Sequence, residues 1–100
     1  MEVYITILNQ FNKIDLYIKE DSSLILSGTR KIQYPANTFL KKLLPIISNW
    51  TNKKPPLILK DAESYEITII DNDKKTNLYG KSYYHLNYKD FKKLISEVIR

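Results

Sequence analysis

The sequence predicts an α+β domain: an antiparallel sheet of about five to six strands with two helices on one face, in the order β-β-β-α-β-β-β-α. Two patterns carry this reading. Apolar residues recur with period two in several short runs, and the period lengthens to that of a helix in two places. The clearest stretch is 57–100, which reads strand, turn, strand, helix. With 100 residues the chain fits one domain, spanning 1–100, and can bury one two-layer core.

Val3, Ile5 and Ile7 alternate with Glu2, Tyr4 and Thr6, the mark of a strand with one buried face. Asn9-Gln10-Phe11-Asn12 supplies a turn. Ile14, Leu16 and Ile18 then alternate with Lys13, Asp15, Tyr17 and Lys19, giving a second strand. Asp21-Ser22-Ser23 turns again, because short side-chain oxygens bond nearby backbone. Leu24 and Leu26 open a third strand, expected to continue past Gly28 to Ile32 and Tyr34. Short connections make an antiparallel meander the simplest pairing.

Pro35 holds Tyr34 extended, and Asn37 is the expected cap of a helix running to about Trp50. Phe39, Leu40, Leu43, Leu44, Ile47 and Trp50 share its apolar face, with a kink or break expected at Pro45. Thr51 to Pro56 is a polar connector. Leu57-Ile58-Leu59 is a short apolar strand, and Asp61-Ala62-Glu63-Ser64 turns into a hairpin. Tyr65, Ile67 and Ile69 alternate with Glu66 and Thr68, Asp71 to Lys74 breaks the run, and Thr76 to Lys81 extends again. Asn87, with Asp90 three residues on, opens a last helix whose stripe is Phe91, Leu94, Ile95, Val98 and Ile99. Gly28 and Gly80 each precede a helical phenylalanine by eleven positions, a hint of internal repetition.

The composition narrows the chemistry. There is no cysteine, which excludes disulfides and thiolate metal sites and agrees with a reducing, cytoplasmic setting. No apolar run reaches the ~20 residues of a membrane span, and the N-terminus lacks a secretory pattern, so no membrane association is expected. Asn49-Trp50-Thr51 spells a glycosylation sequon, read as chance without a secretory signal. Abundant Ile, Lys, Asn and Tyr suit an AT-rich bacterial or phage genome. Net charge is +5, divided as six basic against four acidic residues in the first half and ten against seven in the second. This permits an acidic partner without a basic tail.

Catalytic patterns find little support. The single histidine, His85, has no cysteine to complete a zinc site and is expected to be structural or merely exposed. No serine stands in a nucleophile elbow. Asp71-Asn72-Asp73 resembles the start of a calcium loop, but Thr76 stands where glycine is needed and Ser82 where the bidentate Glu is needed. Asp61 with Asp73-Lys74-Lys75 spells a loose nuclease motif, yet the triplet falls in a turn rather than on a rigid strand. No catalytic, cofactor-binding or metal-binding residue is therefore expected, and no cofactor.

Binding fits better. Basic pairs recur at Arg30-Lys31, Lys41-Lys42, Lys53-Lys54, Lys74-Lys75 and Lys92-Lys93 among eight tyrosines. A basic sheet with exposed aromatics can hold single-stranded nucleic acid, although two arginines are few for phosphate contacts. Adjacent Tyr83 and Tyr84 on a strand point to opposite faces, so one is free to anchor a protein. Tyr83, Tyr84, Lys74, Lys75, Lys92 and Lys93 are the expected partner-binding residues. Lightly charged sheet edges would also suit a homodimer.

From Trp50 onward, over about half the chain, the order resembles small uncharacterised bacterial α+β proteins of the immunity or inhibitor type. The matching residues are Trp50, Asp61, Tyr65-Glu66-Ile67, Gly80, Tyr84 and the helix at Phe91; Ala62 stands where that pattern has a turn glycine, and no proline follows Tyr84. The resemblance implies an inhibitor rather than an enzyme and transfers no functional residue. The expected function is a small non-enzymatic protein-binding module: an immunity protein, an antitoxin or a phage-encoded inhibitor of host defence. The alternative is a nucleic-acid-binding domain with a Lys/Tyr-rich face.

Overall fold

The computed structural model describes residues 1–22, 24–52, 63–82 and 85–99. They form β1 (Glu2–Leu8), β2 (Lys13–Lys19), β3 (Leu24–Leu26), β4 (Arg30–Ile32), α1 (Ala36–Ile47), β5 (Ser64–Asp71), β6 (Lys74–Lys81) and α2 (Tyr88–Val98). The strands make one antiparallel sheet of order β4-β3-β2-β1-β5-β6. Among the described residues the fold is the predicted α+β class, with a six-stranded sheet and two helices, in the order β-β-β-β-α-β-β-α rather than β-β-β-α-β-β-β-α. The expected strand at Leu57–Leu59 lies outside the described residues. Among the described residues no helix is long and apolar enough to cross a membrane.

β1 is the hub. Its Ile5 faces Leu16 of β2 on one side and Ile67 of β5 on the other. Val3, Ile5 and Ile7 point to the helices and are buried, together with Leu16, Ile18, Tyr65 and Ile67. Phe39, Leu40, Leu43 and Ile47 of α1 and Phe91, Leu94, Ile95 and Val98 of α2 complete the same core. Each large side chain withdrawn from water contributes about 1.5–3 kcal/mol, so these two apolar stripes keep both helices on one face.

Several local expectations are corrected. The single third strand is two short ones, because Ser27 and Gly28 take left-handed backbone, φ 54° and 78°, and Thr29 N–H donates back to Leu26 O at 3.3 Å. Helix α1 starts at Ala36 with Pro35 at the cap; Asn37 instead exchanges bonds of 2.8 and 2.7 Å with Asp21, tying α1 to the turn after β2. The helix runs through Pro45 but ends at Ile47, short of Trp50. Asn87 does precede α2, yet its side chain makes no capping bond and turns to Trp50 and Ile46 instead. The glycines of the apparent repeat also differ: Gly28 is in a turn, whereas Gly80 is within β6 opposite Tyr65.

Candidate interaction surface

Strand alternation that buries Val3, Ile5 and Ile7 sends Glu2, Tyr4, Thr6 and Leu8 to the face away from the helices. Register then sets their neighbours. One row crosses all six strands: Lys31, Ile25, Tyr17, Tyr4, Thr68 and Asn77. The next contains Asp15, Thr6, Glu66 and Tyr79. Tyr4 and Tyr79 are 45% and 52% exposed, large aromatic surface on a pleated face.

The face has local order. The rings of Tyr4 and Tyr17 are 4.7 Å apart and inclined at 35°. Thr6 Oγ1 donates to Asp15 Oδ1 at 2.9 Å, Asn77 Nδ2 to Thr68 Oγ1 at 2.9 Å, and Tyr4 OH to Glu2 Oε2 at 3.4 Å. Desolvation, then the Glu2 carboxylate and the Tyr4 phenol beside it, hold the Tyr17 phenol above its ordinary value. A hollow of about 470 Å³ opens here, lined by Tyr4, Ile5, Thr6, Asp15, Leu16, Tyr17, Ile25, Ser27 and Gly28. Lys13, Lys19, Lys31, Lys75 and Lys81 occupy the ends and edges of the same face, while Glu2, Asp15 and Glu66 lie on the inner strands.

Among the described residues, the lysines singled out from sequence do not gather into one patch. Tyr83 and Tyr84 lie outside the described residues. Lys74 and Lys75 are exposed at the start of β6, opposite Asp71 and Ile70. Lys92 is on α2, 3.1 Å from Glu63, which immediately precedes β5. Lys93 lines a shallow groove between the helices with Lys42, Ile46, Asp90, Leu94 and Glu97. Glu63 and Asp71 stand at opposite ends of β5, so the two lysine pairs are separated by roughly 25 Å of strand. Tyr4, Tyr17 and Tyr79 went unsingled, although Tyr4 and Tyr17 stand in the polar phase of their strands, which was the available signal.

A second polar group lies at the mouth of the core. Trp50 stacks on His85 with ring centroids 4.5 Å apart and planes 5° apart, and its Nε1–H donates to Asn87 Oδ1 at 2.8 Å. His85 Nε2 shares a 3.0 Å hydrogen bond with the Tyr65 hydroxyl. Tyr88 OH donates to Glu63 Oε1 at 2.5 Å, while Asn9 Nδ2 donates to Oε2 at 3.3 Å. Burial alone would raise the Glu63 carboxyl, but bonds from Tyr88, Asn9 and Lys92 outweigh it and hold the carboxyl below its ordinary value. Burial likewise pushes the His85 imidazole down, and burial with the Glu63 bond pushes the Tyr88 phenol up. These groups tie α2 and the segment after α1 to the end of the sheet. Among the described residues no three His, Cys, Asp or Glu side chains cluster closely enough to hold a metal ion.

No protein-family model, curated protein or solved structure matches the chain.

Proposed function

We propose that the chain is a small non-enzymatic protein-binding module, of the kind that immunity proteins, antitoxins and phage-encoded inhibitors of host defence exemplify, and that it holds its partner on the open face of the sheet. The carrying observation is the pair of half-exposed tyrosines, Tyr4 and Tyr79, on the face the helices leave uncovered. Tyrosine gives large contact area at little entropic cost and is enriched at interface centres. Six strands of this length offer roughly 500 Å² of flat face, which side-chain relief and the lysine border bring towards the ~800 Å² per partner of a specific complex. The composition suits a bacterial or phage source and a reducing cytoplasm. The outer edge of β4 is where sheet extension, and hence a homodimer, would begin.

The lysines at the border also keep nucleic-acid binding as the second reading. The inner carboxylates Glu2, Asp15 and Glu66 oppose it, since phosphates would approach them over the same tyrosines. Affinity capture with the wild type and with the Tyr4→Ala/Tyr79→Ala double variant tests the first reading. The expected result is a partner, cross-linked to open-face residues, that the double variant loses while its melting temperature holds. A partner retained at full strength overturns the assignment to this face. Saturable binding of oligonucleotides that strengthens at low salt would favour the second reading.

A further inference from the structure

The hollow on the open face has walls of two kinds, and together they select a ligand. Tyr4, Tyr17 and Ile25 supply aromatic and apolar surface. Asp15 supplies a carboxylate whose Oδ1 is held by Thr6 at 2.9 Å and whose Oδ2 faces Lys13 at 3.7 Å, a loose and exposed ion pair. Glu2, bonded by the Tyr4 hydroxyl, and Glu66, across the ladder from Thr6, add negative potential at the border of the hollow. Lys13, Lys19 and Lys31 stand at the strand ends and edge around it, but an anionic ligand inside the hollow would meet the Asp15 carboxylate directly. A purely aliphatic one would strip water from Asp15 without replacing its hydrogen bonds. A guanidinium satisfies both kinds of wall: it is planar and weakly hydrated, lies on aromatic rings, and donates in a fork to a carboxylate. Ammonium matches the charge but not the flat apolar walls. The volume of about 470 Å³ leaves room for the flanking backbone as well as the side chain.

From this we infer that the hollow takes an arginine side chain presented by the protein partner, with its guanidinium against Asp15 and its plane over the tyrosine pair. This rests on the open face being the partner-binding surface and adds the chemistry of the central contact. The border lysines would then meet acidic residues around that arginine.

The test is an amide NMR titration of the full chain with the peptide acetyl-Gly-Arg-Gly-amide and with its citrulline counterpart, which keeps the shape and loses the charge. Saturable shifts are expected at Tyr4, Thr6, Asp15, Tyr17 and Ile25, with the citrulline peptide roughly tenfold weaker. Asp15→Asn still offers an oxygen to Thr6. It should keep the dispersed spectrum and lower arginine-peptide affinity to the citrulline level. Shifts scattered over unrelated acidic residues, no saturation, equal binding of the two peptides, or an unaffected Asp15→Asn variant would each overturn the arginine assignment. Those failures are separable from failure of the interface: a partner lost by Tyr4→Ala/Tyr79→Ala, together with equal peptide binding, leaves the face standing and removes only the arginine. A thymidine dinucleotide that saturates the same amides would overturn both.

Discussion

Gly28 has a left-handed φ of 78° and open space where a Cβ would project, so a side chain there costs backbone strain and meets no clash. Gly28→Ala is expected to lower stability by about 1 kcal/mol, read from urea unfolding at unchanged slope. Two titratable residues shape the acid side of the stability curve in different windows. The folded His85 pKa lies below its ordinary 6.5, so protons prefer the unfolded chain. Its contribution is fully present above that value and is lost as pH falls from there through the folded pKa. Glu63 is also depressed, so its contribution is present above its ordinary 4.5 and disappears as pH falls through its own folded pKa. Melting temperatures between pH 7 and 5 should therefore decline in the wild type and flatten in His85→Phe, which keeps a ring on Trp50. An equal decline in both would mean that another residue titrates. At this scale the sequence showed which residue types were unusual but not their partners. The sequence left His85 as structural or exposed; its place between Trp50 and Tyr65 depends on residues 35 and 20 positions away.

Among the elements, β6 has its outer edge engaged by a side chain. Tyr79 N–H donates to Asn52 Oδ1 at 2.9 Å, and Asn52 Nδ2 donates to Asn77 O at 3.1 Å, so one amide imitates a strand's alternating donor and acceptor. Asn52→Ala is expected to cost about 1–2 kcal/mol for two lost bonds and to speed hydrogen exchange at the Tyr79 amide more than at the central β1 amides. Equal exchange in variant and wild type would show that the edge is held by other means. β1, β2, β5 and α2 were legible because each repeats its period over seven residues or more. β3 and β4 were not: three residues apiece carry too little pattern to separate a hairpin from one long strand. The start of α1 was misplaced because Asn37 has good cap chemistry, which Asp21 claims instead. The tyrosine face was half legible. Its residues stood in the polar phase, but cross-strand neighbours follow only from register.

For the whole molecule, the decisive fact is that β5 returns beside β1, at the centre, rather than extending the meander from β4. Local alternation cannot announce that return, and it is what arranges charge on the open face. With β1 in the middle, Glu2, Asp15 and Glu66 fall on the inner strands, while Lys31 on β4 and Lys75 on β6 lie at opposite edges. Edge lysines on a chain of net charge +5 act over distances near the ~10 Å Debye length, before any side chain touches. Their expected role is to speed the approach of a partner with an acidic border, whereas Tyr4 at the centre governs how long it stays. Lys31→Glu with Lys75→Glu, which takes the net charge from +5 to +1, should slow association roughly tenfold and flatten its dependence on salt, with little change in dissociation. Tyr4→Ala should do the reverse, hastening dissociation at nearly constant association rate. Stopped-flow or surface-binding kinetics at two ionic strengths separates these outcomes. If the double reversal changes only dissociation, the edge lysines are direct contacts and the steering role is wrong.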